Sequence, residues 1–239
     1  MSEHDQRHII AIGGSGFLTD AQTRALYRYV LNQARTTEPA ICFVPTANGD
    51  SDASLLRFYT SLSQLPCKLS HLVFFRRTPR DLRSLLLSQD VIWVGGGNTR
   101  SMLAVWREWG LPEILREAWE SGIVLAGGSA GAICWFEQGV TDSLAEVLVP
   151  LDCLGFLPGS CCPHYDGEAD RRPFYHQLLL DQHIVPGIAI DDGVGVHFRG
   201  TEPYRVVTPR ETAGAYAVQL FDGEVQECQL PIETQRLAS

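Results

Sequence analysis

The run Ala126-Gly127-Gly128-Ser129-Ala130-Gly131-Ala132 crowds small residues around one serine. It contains G-x-S-x-G between an apolar stretch that reads as a strand (122–126, GIVLA) and a stretch that reads as a helix. In that setting the pattern is a nucleophile elbow: a sharp turn lifts the serine Oγ above the sheet edge. The N–H that follows, that of Ala130, then faces the place where an oxyanion would form. A serine hydroxyl also needs a base, and the chain has seven histidines. His4 and His8 lie near the amino end, His71 in a strand-like run, His176 in a helix-like one. His183 and His197 flank the apolar run 187–190 (GIAI). His164, in Cys161-Cys162-Pro163-His164-Tyr165-Asp166, follows an irregular, proline-marked stretch suited to a loop beside a site. Spacing favours His164, with His197 second. A third group must orient the imidazole. Asp191-Asp192-Gly193, at the carboxyl end of the GIAI run, supplies acids for this, with Asp166 and Glu168 as others near His164.

The elements that must position these residues alternate along the chain. Apolar runs at 8–12 (HIIAI), 41–44 (ICFV), 69–75, 91–94 (VIWV), 122–126 and 187–190 read as strands. Helical patterns cover the region from Thr19, with a capping box to Gln22, then 54–62, 79–87 with Pro79 in its first turn, 100–109, 112–119 and 172–180. Strands alternating with amphipathic helices predict an α/β, flavodoxin-like, doubly wound, mostly parallel sheet with helices on both faces. The pattern loosens after Val140, and 204–230 alternates as a short β-rich carboxyl-terminal extension with a hairpin turn at Asp222-Gly223. With no repeat or linker, a single domain over 1–239 is expected. Glycine-rich turns follow three strands, at 13–16, 95–97 and 127–131, at the edge where open α/β sheets bind ligands.

Composition narrows the functional classes. With 239 residues, 45% apolar and 20% charged, the chain is neither disordered nor a small disulfide scaffold. A formal charge of −9 offers no general attraction to phosphate, so nucleic acid is not an expected partner. Lys68 is the sole lysine, so positive charge is almost all arginine. The polar amino terminus and the absence of a long apolar run argue for a cytoplasmic protein with no membrane partner. Seven scattered cysteines do not form a disulfide framework, and adjacent Cys161 and Cys162 lack zinc spacing, so no metal is expected. Gly13-Gly14-Ser15-Gly16 after the first run permits another class, a non-catalytic flavodoxin-like ligand-binding domain cradling a phosphate. The full dinucleotide fingerprint is absent.

Several of these motifs together resemble the peptidase E family, serine peptidases of flavodoxin-like fold related to class I glutamine amidotransferases. Ala126 to Ala132 is similar to that family's A-G-x-S-A-G-A, Gly95-Gly96-Gly97-Asn98-Thr99 to its G-G-G-N-T, and Pro163-His164-Tyr165 to its P-H-[FY]. The resemblance runs from Ile9 to about Val196. It implies Ser129 as nucleophile, His164 as base, and an oxyanion hole from Gly97, with Gly96, and Ala130. The family's third catalytic residue is usually a glutamate, and by position Asp192 stands there. The resemblance implies no metal or organic cofactor and a small peptide substrate, an amino-terminal aspartyl dipeptide first and a cyanophycinase-like isopeptide second. Asn98, Arg171 and Arg172 are the residues expected to contact it, the arginines as partners for a substrate carboxylate.

Overall fold

The computed structural model describes residues 7–14, 18–145 and 147–238. Its first half is the expected alternation: β1 (His8–Ile12), α1 (Asp20–Leu31), β2 (Ala40–Val44), α2 (Asp52–Leu62), β3 (Lys68–His71) and α3 (Leu82–Leu87). β4 (Val91–Val94), α4 (Thr99–Glu108), α5 (Leu111–Glu120), β5 (Val124–Gly128) and the single-turn α6 (Ala130–Ile133) complete it. The Thr19–Gln22 capping box opens α1 with both reciprocal bonds formed. Two boundaries differ from expectation by more than two residues, and one residue explains each. Asp81 takes the N-cap of α3 by accepting from the Ser84 N–H, so Pro79 lies ahead of the helix. The third strand ends at His71 because the Phe74 and Phe75 N–H groups donate to the Asp50 carboxylate, not to a sheet ladder.

The loosened second half conceals strands. β6 (Phe136–Leu144), β7 (Val147–Asp152) and β8 (Leu157–Cys162) precede α7 (Arg171–Leu180) and β9 (Gly187–Ile190). Then come β10 (Gly195–Arg199), β11 (Glu202–Thr208), β12 (Ala215–Phe221), β13 (Glu224–Gln229) and β14 (Thr234–Arg236). Pro150 sits in β7, an edge strand, where a missing N–H is tolerated.

Two sheets result. The larger has the order β14-β11-β10-β1-β5-β4-β2-β3, parallel from β1 through β3 and antiparallel around β10. The smaller has the order β13-β12-β9-β8-β6-β7. The β-rich tail is therefore woven into both sheets, with β11 and β14 in one and the β12–β13 hairpin in the other. Asp222 and Gly223 form its two-residue turn, both at positive φ (49° and 80°).

Successive strand residues face opposite sides, and the core follows that period. Ile10, Ile12, Phe43, Trp93 and Ala126 pack under Leu26 and Val30 of α1 and Phe58 and Leu62 of α2. Ile9, Ala11, Val44, Ile92 and Leu125 face Leu86, Trp106 and Trp119 of the helices on the other side. The same cluster takes in Phe136, Leu157, Cys161 and Ile190, so the smaller sheet docks on that face. The carboxyl ends of β1, β4 and β5 and the ends of β8 and β9 thus meet at one edge. Among the described residues no helix is long and apolar enough to cross a membrane.

Candidate active site

Ser129 follows β5 at φ 56° and ψ −116°, a conformation that costs a non-glycine residue on the order of 1–3 kcal/mol. It is held there by its own N–H donating to the Ile12 carbonyl (3.0 Å), while its carbonyl accepts from Ala132 and Ile133. The flanking glycines are needed for a specific close approach. A Cβ at Gly127 or Gly131 would lie 2.5 or 2.3 Å from the Val94 carbonyl oxygen of β4. Larger residues would push the elbow off the sheet.

Pro163 ends β8, and His164 turns sharply at φ 55°, its N–H donating to the Gly13 carbonyl (3.1 Å). Its Nε2 lies 2.8 Å from Ser129 Oγ and its Nδ1 2.7 Å from Asp192 Oδ1. An ionised carboxylate can only accept, which puts the imidazole proton on Nδ1 and leaves Nε2 to accept the serine O–H. Asp192, 3% exposed, lies just past β9. Asp191 points elsewhere: it accepts from the Gly214 N–H (2.9 Å) and the Tyr216 hydroxyl (3.4 Å). Burial raises its pKa, partly offset by the Gly214 bond. The structure thus brings Ser129, His164 and Asp192 together in a hydrogen-bonded line. His197, the second candidate base, is buried in β10 against Tyr29 and His8; His4 lies outside the described residues.

The glycine turn after β1 has a role the sequence did not disclose. A Cβ at Gly14 would sit 2.0 Å from Asp192 Oδ1 and 2.5 Å from His164 Nδ1. Gly14 therefore leaves room for the His–Asp bond, and its carbonyl accepts from the Gly193 N–H (2.8 Å). The phosphate-cradle expectation also involved Ser15 and Gly16, which lie outside the described residues. The Gly95-Gly96-Gly97 turn stands over the serine: a Cβ at Gly96 would come 3.1 Å from Ser129 Cβ, while Gly97 (φ 136°) backs onto the Ala47 carbonyl.

Ser129 and His164 open into a cleft of about 580 Å³. Tyr27, Phe43, Phe58 and Trp93 form its aromatic wall, and Asn48, Ser54 and Arg57 contribute polar groups from the loop after β2 and from α2. Burial raises the Tyr27 phenol pKa, so it stays neutral. Arg57 is exposed, its Nη2 3.3 Å from Ser54 Oγ, and it is the one cationic side chain among these lining residues; Asp20 is the one carboxylate. These residues were not singled out from sequence, although the loop after a central parallel strand is where ligand contacts concentrate.

None of the three expected substrate contacts lines this cleft. Asn98 caps α4 by accepting from the Ser101 N–H and donates to the Ser143 carbonyl, both at 2.9 Å. Arg171, 1% exposed, is tied to Glu168 (2.6 Å) and the Val140 carbonyl (2.9 Å). Arg172 grips Glu227 with two nitrogens and lies over the Tyr165 ring. Proximity to His164 in sequence put the arginines on α7, whose first turn faces the smaller sheet and not the serine. Cys161 and Cys162 point to opposite faces of β8, Cys161 into the cluster shared with the larger sheet and Cys162 into a separate one with Tyr175 and Leu178 of α7. Among the described residues no group of three or more His, Cys, Asp or Glu is placed to hold a metal.

A sequence profile described as "Peptidase family S51" matches residues 9–205. An uncharacterized peptidase of Bacillus subtilis, YgaJ, is 51% identical over 227 residues, covering 95% of this chain and 98% of that one. A protein named peptidase E from Pasteurella multocida is 28% identical over 155 residues, 61% of this chain and 63% of its own. The crystal structure of a peptidase from an acI-B1 Actinobacterium superposes with a TM-score of 0.71 at 20% identity, covering 95% of this chain and 94% of that one.

Proposed function

Starting from the fact that the chain belongs to peptidase family S51, and is therefore a peptidase, we propose that it is a serine peptidase of short peptides. The carrying observation is the unbroken Ser129–His164–Asp192 line, at 2.8 and 2.7 Å. In this reading Ser129 Oγ attacks the scissile carbonyl as His164 Nε2 takes its proton, and the imidazolium returns that proton to the leaving amine. Asp192 stabilises the imidazolium. Backbone N–H groups of the Gly96-Gly97 turn and of Ala130 receive the oxyanion, each worth roughly 10²–10³ in turnover. Removing the nucleophile of such a unit costs on the order of 10⁶, so Ser129→Ala should abolish hydrolysis and labelling by a fluorophosphonate probe while the protein stays folded. Labelling of Ser129→Ala at the wild-type rate would falsify this assignment.

We further propose a substrate carrying a carboxylate, an amino-terminal aspartyl dipeptide first. A carboxylate entering a cleft sheds water and needs a charged partner in place, and Arg57 is the cation that lines it. The overall charge of −9 repels acidic peptides at long range, so attraction must be local. Comparing kcat/KM for Asp-Leu, Asn-Leu and Leu-Leu tests this. A preference for Asp-Leu of about two- to fivefold is expected, the size of an exposed charge pair worth up to about 1 kcal/mol. Equal rates would remove the aspartyl reading and leave the serine mechanism standing.

A further inference from the structure

Resting on the reading of Asp192 as the acid of the triad, we propose that Asp166 and Arg210 form a clamp that positions Asp192. Through Arg210, the segment after Gly200 then takes part in catalysis without touching substrate. Asp192 is gripped by both of its backbone polar groups. Its N–H donates to Asp166 Oδ1 at 2.8 Å, and its carbonyl accepts from Arg210 Nη1 at 2.5 Å. The ring closes through Arg210 Nη1 and Asp166 Oδ2 at 2.8 Å. Three distant stretches of chain meet here: the loop carrying the base, the turn carrying the acid, and the connection between β11 and β12.

The geometry says what such a clamp controls. Asp192 reaches His164 through one methylene, so its carboxylate position is set almost entirely by the backbone of the turn. A rotation of the peptide planes flanking Asp192 swings that carboxylate away, and the short side chain, with χ1 and χ2 alone, has little reach with which to follow the imidazole. Asp166 lies two residues after His164, so one carboxylate couples the loop of the base to the turn of the acid. Arg210 is itself steadied: its N–H donates to Thr208 Oγ1 (3.0 Å), its carbonyl accepts from Arg236 Nη1 (2.6 Å), and its stem runs past Gly193. Asp191 is anchored separately by Gly214, which holds the other end of the turn.

The ion pair is partly open to water, with side-chain exposures of 31% for Asp166 and 22% for Arg210. A pair of that kind adds little to global stability, which separates a positioning role from a merely structural one. The test compares Arg210→Gln, Arg210→Lys, Asp166→Asn and the Gln/Asn double variant with wild type. Four quantities are read: kcat and KM on a cleaved peptide, the rate of fluorophosphonate labelling of Ser129, and Tm. Displacement of a catalytic group by about 1 Å costs roughly 10²-fold, so Arg210→Gln and Asp166→Asn should each lower kcat and labelling rate by about 10- to 100-fold. KM should stay within about threefold and Tm within a few degrees, the scale of a lost exposed pair. Arg210→Lys should recover much of the loss, and the double variant should be no slower than the worse single one, as groups acting as a unit behave. Labelling at the wild-type rate in Arg210→Gln, or losses of kcat that merely follow losses of Tm and add in the double variant, would overturn the clamp. Should Arg210→Gln fail to fold, Arg210→Lys and Asp166→Asn carry the same comparison. Asp192→Asn separates the two levels. If it labels slowly and the clamp variants do not, only the clamp fails; if it labels at the wild-type rate, the triad reading fails and the clamp with it.

Discussion

Ser129 keeps an unfavourable backbone conformation because its amide is bonded to β1 and its carbonyl to α6, so strain at one residue is held by two elements. The same logic makes Gly14 a residue with a measurable effect on rate. A methyl at that position would overlap Asp192 Oδ1 at 2.0 Å. Gly14→Ala should therefore lower kcat by about 10²-fold or more with KM little changed, the signature of a displaced orienting acid. The neighbouring acids should separate cleanly under steady-state kinetics. Asp192→Asn is expected to cut kcat by about 10⁴, as for an orienting carboxylate whose loss leaves the imidazolium unsupported. Asp191→Asn, which touches Gly214 and Tyr216 instead, should lower Tm and leave kcat close to wild type. Ser129 and His164 were legible in the sequence because elbow and P-H-Y motifs are local. Gly14 was not, because its importance lies in who approaches it across 178 positions of chain. Arg171 and Arg172 misled for the converse reason: sequence neighbours of His164 were assigned its side of the cleft, and a helix carried them off it.

At the scale of elements, the parallel strands and their helices could be read because buried strands are continuous apolar runs. β6 to β8 could not, since edge pairing, register shifts and prolines erase a simple period. Arg171 now belongs to this scale. It joins α7 to the middle of β6 through the Val140 carbonyl, with Glu168 and Asp142 as its acids. Arg171→Met should cost about 1–3 kcal/mol in denaturant titration, with kcat/KM retained in the folded protein. β10 carries a second buried ionisable group. Burial, then the charges of His8, Arg199 and Arg205, push the His197 pKa from 6.5 down to about 3. The folded state thus refuses a proton that the unfolded chain accepts below about 6.5. The stabilisation by neutral His197 is complete above that pH and is lost as pH falls from 6.5 towards 3. Its slope is at most about 1.4 kcal/mol per pH unit. His197→Asn should flatten the wild-type stability profile by up to one proton across that window, as measured by urea unfolding at several pH values.

Across the whole molecule, seven cysteines are spread over strands and connections without a disulfide among them. Burial pushes the thiols of Cys42, Cys153 and Cys162 up to about 12, and Cys134 and Cys161 are wholly buried. Cys228 is the exposed one. Iodoacetamide near neutral pH should therefore modify Cys228 first, as mass spectrometry would show, and leave peptide hydrolysis unchanged. The order of strands carries a different consequence, for how the chain comes to be folded. β1 is central in the larger sheet, with β5 on one side and β10 on the other, and its Ile9 is paired with Phe198. Until residues 195–199 arrive, one edge of a strand apolar from Ile9 to Ile12 stands open to any other strand that meets it. Low-contact-order pieces of the sheet can form early, but this closure is a long-range step and so a slow one. During synthesis the growing chain must therefore wait, with an adhesive edge exposed, until most of it has been made. Fragments that stop before β10 should associate with one another before they can fold.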